Sequence, residues 1–210
     1  MKLPMMRHAA PALLWLFCSG AGILKAQPGP EGMTDPRDGK QYRTVWIGEQ
    51  HWMAENLNYA GGERVCYAND PNLCNTYGGL YCYEVAQHVC PDGWHLPDRE
   101  EWEQLAQFLG TDEAGQKMKA SAEDPVPWDG TNASGFSAIP AGAGNGDGFH
   151  RMGDWALFWS ASEYNEERAW FAQLDGYWYP QPPKYTNLYI GWYYLKSNLF
   201  SVRCIEDETP

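Results

Sequence analysis

Five cysteines, Cys66, Cys74, Cys82, Cys90 and Cys204, follow an apolar leader, and no other feature constrains the fold of this chain as tightly. Lys2 and Arg7 precede residues 9–24, which carry no charge, and the small Ala26 stands just before "QPGPEG". A basic start, a short apolar run and a small residue at its end predict a secretory signal peptide over 1–26, too short for a stable membrane span. Export to the cell surface or medium makes disulfides the expected state of the cysteines. Their odd number leaves one thiol over.

The rest of the chain sets further limits. It carries 27 acidic against 15 basic residues, and removal of the leader takes Lys2, Arg7 and Lys25 but no acid. So acidic a protein repels phosphate backbones, which excludes nucleic acid as a partner. No later segment is apolar enough for a transmembrane helix in the mature chain. The length suits one domain with a sizeable core, expected over 34–207, after a Pro/Gly-rich flexible leader at 27–33 and before a short tail at 208–210.

The pattern of residues predicts mixed α and β structure. "QYRTVWIGEQHWM" reads as a hairpin about Gly48-Glu49, since glycine at the first central position suits a type II′ turn. Apolar groups on both faces predict that it is covered on both sides. In "YCYEVAQHVC", Cys82, Val85, Ala86 and Val89 recur at helical spacing, so Cys82 is expected on a buried helix face as the unpaired thiol. "CPDGWHLPDREEWEQL" then joins two elements. Its "PDG" is turn chemistry, Asp98 and Glu101 form a variant capping box, and Trp102, Leu105, Ala106 and Leu109 make an apolar stripe ending at Gly110. His95 has no second histidine or Cys-x-x-Cys at metal-ligand spacing, so it reads as structural. "EAGQKMKA" reads as a short helix, and "ALFWSASE" and "RAWFAQL" as strands about a turn at 164–167. "FSVRCI" reads as a closing strand.

Taken in order, "DPRDGKQYRTVWIGEQHWMAENLNY", "CYANDPNLC", "YGGLY", "VCPDGWHLPDREEWEQL", "SGFSAIPAG", "ALFWSASE" and "FSVRCI" resemble the Fibrobacter succinogenes major paralogous domain family over residues 34–207. That family is similar to C-type-lectin-like domains and, more loosely, to formylglycine-generating sulfatase-activating enzymes, whose helix entry resembles Gly93 to Trp102. The resemblance implies an α+β, C-type-lectin-like fold of loop-rich twisted antiparallel sheets flanked by two or three short helices, with its ends close together. It implies no particular activity. The family often has an aromatic, commonly Trp, where Cys82 stands, and residues 177–196 are more aromatic than their usual counterpart.

Against this background Cys66 and Cys74 are expected to staple the turn-prone "YANDPNL", and Cys90 to bond Cys204, tying the helix joint to the last strand. Formylglycine-generating enzymes use a reactive, copper-holding cysteine pair. With these cysteines bonded and Cys82 buried, no such pair is expected, and no Gly-x-Ser-x-Gly elbow occurs. The chain therefore reads as a non-enzyme, without catalytic residues, metal or cofactor. The Glu-Pro-Asn, Gln-Pro-Asp and Trp-Asn-Asp tripeptides of calcium-dependent sugar binders are missing. Asn145 and Asp147 in "GNGDG" offer hard oxygen ligands but read as a tight turn.

What remains is an aromatic excess, 11 Trp and 13 Tyr, concentrated near a Pro-rich break. Exposed aromatics offer large contact area at low entropic cost. Tyr177, Trp178, Tyr179, Tyr185, Trp192 and Tyr194 are the expected ligand-binding residues, together with the 143–154 loop. The function expected is a non-catalytic binding or adhesion module for a glycan or an envelope or extracellular protein. A structural component of an envelope assembly is the alternative, and a formylglycine-generating-like oxidoreductase the third.

Overall fold

Over residues 32–175 and 187–208, which the computed structural model describes, short strands outnumber short helices. Met33–Thr34 (β1) pairs antiparallel with Gln41–Tyr42 (β2), so Met33, expected in the flexible leader, already takes part in a ladder. Thr44–Ile47 (β3) and Gln50–Met53 (β4) form the expected hairpin, with Ile47 opposite Gln50. Gly48 takes a φ of 65° there, which a side chain would resist. Both faces of the hairpin are covered at its open end, where Met53 is buried opposite Thr44 in one core and Trp52 opposite Val45 in the other. Cover on the Trp46 face stops before the turn. Val45, Ile47 and Trp52 are buried, while Trp46 on the other face is 40% exposed. The aromatic content of that face goes instead into a surface stack, Trp46 on His51 with centroids 4.5 Å apart.

The Cys66 to Cys74 stretch, expected as a loop, holds a 3-10 turn at Tyr67–Asn69 and a helix at Pro71–Tyr77 (α1). Asp70 caps this helix by accepting from the Asn72 N–H at 2.9 Å, and Pro71 opens it with a preset φ. The next helix is shorter than its apolar spacing suggested. It spans only Tyr83–Ala86 (α2), with Cys82 as its N-cap. One turn cannot hold a stripe that spans eight residues, so the buried residues are Tyr83, Ala86 and Val89, while Cys82 and Val85 are only half-buried.

The joint resolves as read. Trp94–His95 (β5) leads into Arg99–Leu109 (α3), with both halves of the Asp98–Glu101 capping box formed and Trp102, Leu105, Ala106 and Leu109 buried. Ala114–Met118 (α4) follows. Ala143–Asn145 (β6) and Gly148–His150 (β7) make a small hairpin over the Gly/Asn/Asp turn. Trp155–Glu163 (β8), Arg168–Asp175 (β9) and Tyr189–Leu195 (β10) form a three-stranded antiparallel sheet in the order β10-β9-β8.

The closing strand is the least regular element. Only Ile205–Glu206 (β11) is strand, because residues 200–204 thread through the centre and bond to several elements in turn. Phe200 bridges Tyr81, Ser201 bridges Phe158, the Leu57 N–H donates to Val202, and the Met53 N–H donates to Cys204. β11 then lies between β4 and β5, completing a four-stranded antiparallel sheet in the order β3-β4-β11-β5. Its pairing with β4 brings the two ends of the domain together.

β8 is apolar on both faces, and each face has its own core. Ala156 and Phe158 pack with Trp52, Trp102 and Phe136 under α3, while Leu157 and Trp159 pack with Tyr81, Tyr83 and Phe200 under α2. Disulfides Cys66–Cys74 and Cys90–Cys204 form as expected, and Cys82 is free. The fold is thus α+β, with several antiparallel sheets, few short helices and two cystine staples. No helix among the described residues is long and apolar enough to cross a membrane.

Candidate binding surface

Three aromatics, Tyr164, Trp170 and Tyr193, gather at one end of the three-stranded sheet. Asn165 shapes the β8–β9 turn by accepting from the Glu167 and Arg168 N–H groups at 3.0 and 2.9 Å. The turn brings Tyr164 onto Tyr193 of β10, rings parallel within 6° and centroids 3.6 Å apart. Trp170, opposite Tyr193 in the ladder, meets both rings edge-on at 5.4 and 5.7 Å. Cations frame the cluster. The Arg99 guanidinium lies 4.3 Å from the Trp170 ring, and that of Arg168 lies 5.6 Å from Tyr193. Tyr164 is 46% exposed, so the stack presents ring surface to solvent rather than to the core.

Of the aromatics expected from sequence, Tyr194 is found exposed, beside Phe171 and Phe200 on the other face of the sheet. Tyr177, Trp178, Tyr179 and Tyr185 lie outside the described residues. Trp192 is described in its backbone alone, paired opposite Phe171. Tyr164 and Trp170 escaped the sequence reading. The signal for Trp170 was present, since in "RAWFAQL" it alternates with Ala169 and Phe171, both buried. For Tyr164 no signal existed, because only the turn geometry lays it on Tyr193. The Trp46–His51 stack, with Trp94 tilted 5.3 Å from His51, is a second aromatic surface that the reading did not single out.

His95 proves to be a clasp. Its Nε2 lies 2.9 Å from Glu101 and its Nδ1 2.6 Å from Asp207, so the ring joins the start of α3 to the chain beyond β11. Glu101 and Asp207 together push its pKa up to about 9 against the cost of burial, and the ring is an imidazolium donating to both. Such a ring has no lone pair left for a metal. His51 bonds Glu206 at 2.6 Å on the outer face of the same sheet. Asn145 also serves its turn, accepting from the Asp147 N–H at 2.8 Å and lying 3.1 Å from His150 Nε2. Among the described residues, no three His, Cys, Asp or Glu side chains gather as a metal site would need.

The order of these elements, from the capped helix entry to the threaded C-terminal segment, is matched by a family model over residues 45–206, that of the Fibrobacter succinogenes major domain. The chain belongs to this family. The match runs from the first hairpin of the four-stranded sheet to the end of its β11 strand, so both larger sheets and both disulfides fall within the family's domain, while the β1–β2 pair precedes it. No curated protein and no solved structure matches the chain.

Proposed function

We propose that this member of the Fibrobacter succinogenes major domain family is an exported, non-catalytic binding or adhesion module of C-type-lectin-like architecture, with a glycan or an envelope or extracellular protein as its ligand. Support for the architecture comes from the loop-rich antiparallel sheets, the pairing of β4 with β11, and the Cys90–Cys204 bond beside it. Disulfides and the leader motif support export.

The observation that carries the binding reading is the Tyr164–Trp170–Tyr193 cluster with its flanking Arg99 and Arg168. Stacked rings that face solvent are pre-organised, so a ligand that covers them loses little side-chain entropy on their account. Ring faces suit the C–H faces of sugars, and the two guanidinium groups suit acceptors at their edges.

The test is a screen of glycans and envelope polymers against the whole protein and against Trp170→Ala, Tyr164→Ala, Trp178→Ala and Trp192→Ala variants. Trp170→Ala is expected to weaken the bound ligand by roughly tenfold or more, the cost of losing an aromatic anchor. Wild-type protein that binds nothing in the screen, or a Trp170→Ala variant that binds as tightly, would turn the reading toward a structural component.

A further inference from the structure

A cleft of about 450 Å³ lies away from the aromatic cluster and shares no residue with it. Its walls come from β2, the segment after β4, the C-terminal end of α1 and the stretch from Ala120 to Ile139. The packing that shapes it is tight. Gly78, at the end of α1, has a φ of 79°, and a Cβ there would fall 2.4 Å from that of Asn56. Asn56 in turn donates to the Tyr77 carbonyl at 2.8 Å and to Ser201 Oγ at 3.3 Å.

The charge of this cleft opposes that of the chain. Lys40, Arg43 and Arg203 line it against two carboxylates, Glu55 and Asp124, although acids far outnumber bases in the whole sequence. Both carboxylates are engaged. Glu55 takes the Arg43 N–H at 2.8 Å and its Nε at 3.1 Å, while Asp124 takes Ser121 N and Oγ and the Asn132 amide. The two other cations have no carboxylate partner among the described residues. Lys40 Nζ reaches only the Asn58 carbonyl, at 3.4 Å. Burial and the nearby Arg64 make its proton easier to lose than usual, although Asp38 and Glu55 are close enough to oppose that in part without forming an ion pair with it.

Arg203 lies fully buried under the floor and donates to Asn56 Oδ1 and to the carbonyls of Met53, Phe136 and Ser137 at 2.6–3.1 Å. Beside the cations stand neutral groups with capacity to spare. The Tyr42 hydroxyl accepts from the Asn58 N–H, and its own proton has no acceptor among the described residues. Asn75 and Thr76 are exposed, and among the described residues no hydrogen bond holds their side chains. Pro125, Val126 and Ile139 supply an apolar wall.

We infer that this cleft binds a small polyhydroxylated carboxylate of the acidic-sugar class, its carboxylate at Lys40, its hydroxyls toward Asn75, Thr76 and Tyr42, and its C–H face on the apolar wall. A neutral sugar would leave Lys40 without a carboxylate in direct contact, and a doubly charged phosphate would crowd Glu55 and Asp124.

Calorimetric titration of the whole protein with trigalacturonate and with neutral galactotriose tests the site. Trigalacturonate is expected to bind at least roughly tenfold more tightly, the scale of one charge-assisted hydrogen bond. Lys40→Gln, which removes a half-buried cation without breaking an ion pair, should weaken trigalacturonate by about the same factor and leave galactotriose unchanged. Thr76→Trp, at an exposed position, should block both sugars by filling the cleft. Equal binding of the two sugars, no binding of either, or indifference to Lys40→Gln and Thr76→Trp would overturn the assignment.

Discussion

His95 and Arg203 are the two residues whose charge state the fold dictates most clearly. The folded pKa of His95, about 9, lies above the ordinary value of 6.5 because Glu101 and Asp207 accept hydrogen bonds from both its N–H groups and so favour the protonated ring. A raised pKa places the stabilisation on the protonated side. It is fully present below about pH 6.5 and is lost as pH rises through 9. An NMR titration of the imidazole should give a midpoint above 8, and thermal stability should fall between pH 7 and 9 more steeply in wild-type protein than in His95→Gln. A midpoint at or below 6.5 would refute the clasp. Arg203 poses the opposite problem, a charge fully out of water with no carboxylate to meet it. Burial lowers its pKa to about 9, which still leaves it charged at neutral pH. Three carbonyls, the Asn56 amide and the ring of Phe136, 4.6 Å away, do the work of a counterion. Arg203→Met strands those acceptors and should cost at least about 3 kcal/mol in chemical denaturation. A loss below 1 kcal/mol would mean that water replaces the guanidinium.

At the scale of elements, α3 shows local signals agreeing with tertiary demand. Asp98 accepts from the Glu101 N–H at 2.9 Å, Glu101 accepts from the Asp98 N–H at 2.7 Å, and Glu100 and Glu101 sit where the helix dipole favours acids. Trp102 is the centre of one core, touching Trp52, Phe136 and Phe158. Asp98→Ala should therefore cost about 1 kcal/mol, and Trp102→Ala about 3–5 kcal/mol, in equilibrium unfolding. Phe108, half exposed on the same helix, should tolerate alanine far better. This helix was legible in the sequence because cap, stripe and stop all lie within thirteen residues. α2 was not. Its spacing promised two turns, but after Ala86 the chain must turn to place Val89 in the core and Cys90 against Cys204, and those contacts outweigh propensity.

For the whole molecule the Cys90–Cys204 bond matters most, since it closes 114 residues and pins the threaded C-terminal segment to the joint before α3. In the chain-entropy picture such a loop contributes about 4–5 kcal/mol. Cys204→Ser should lower Tm by roughly 10–20 °C, whereas Cys82→Ser, which removes only a half-buried free thiol, should shift it by about 2 °C or less. Equal shifts in calorimetry would contradict this division of labour. The first hairpin, α3 and the two long strands β8 and β9 could be read in advance, because turn residues, caps and periods of two or 3.6 act over a few neighbours. The pairing of Cys90 with Cys204, by contrast, was expected only alongside the resemblance to the family. The free edge of Trp46, the stacking of Tyr164 on Tyr193, the His95 clasp and the cleft beside Lys40 were decided only on folding. Each joins residues far apart in the chain, and proximity of that kind is set by how sheets and loops pack rather than by any local pattern.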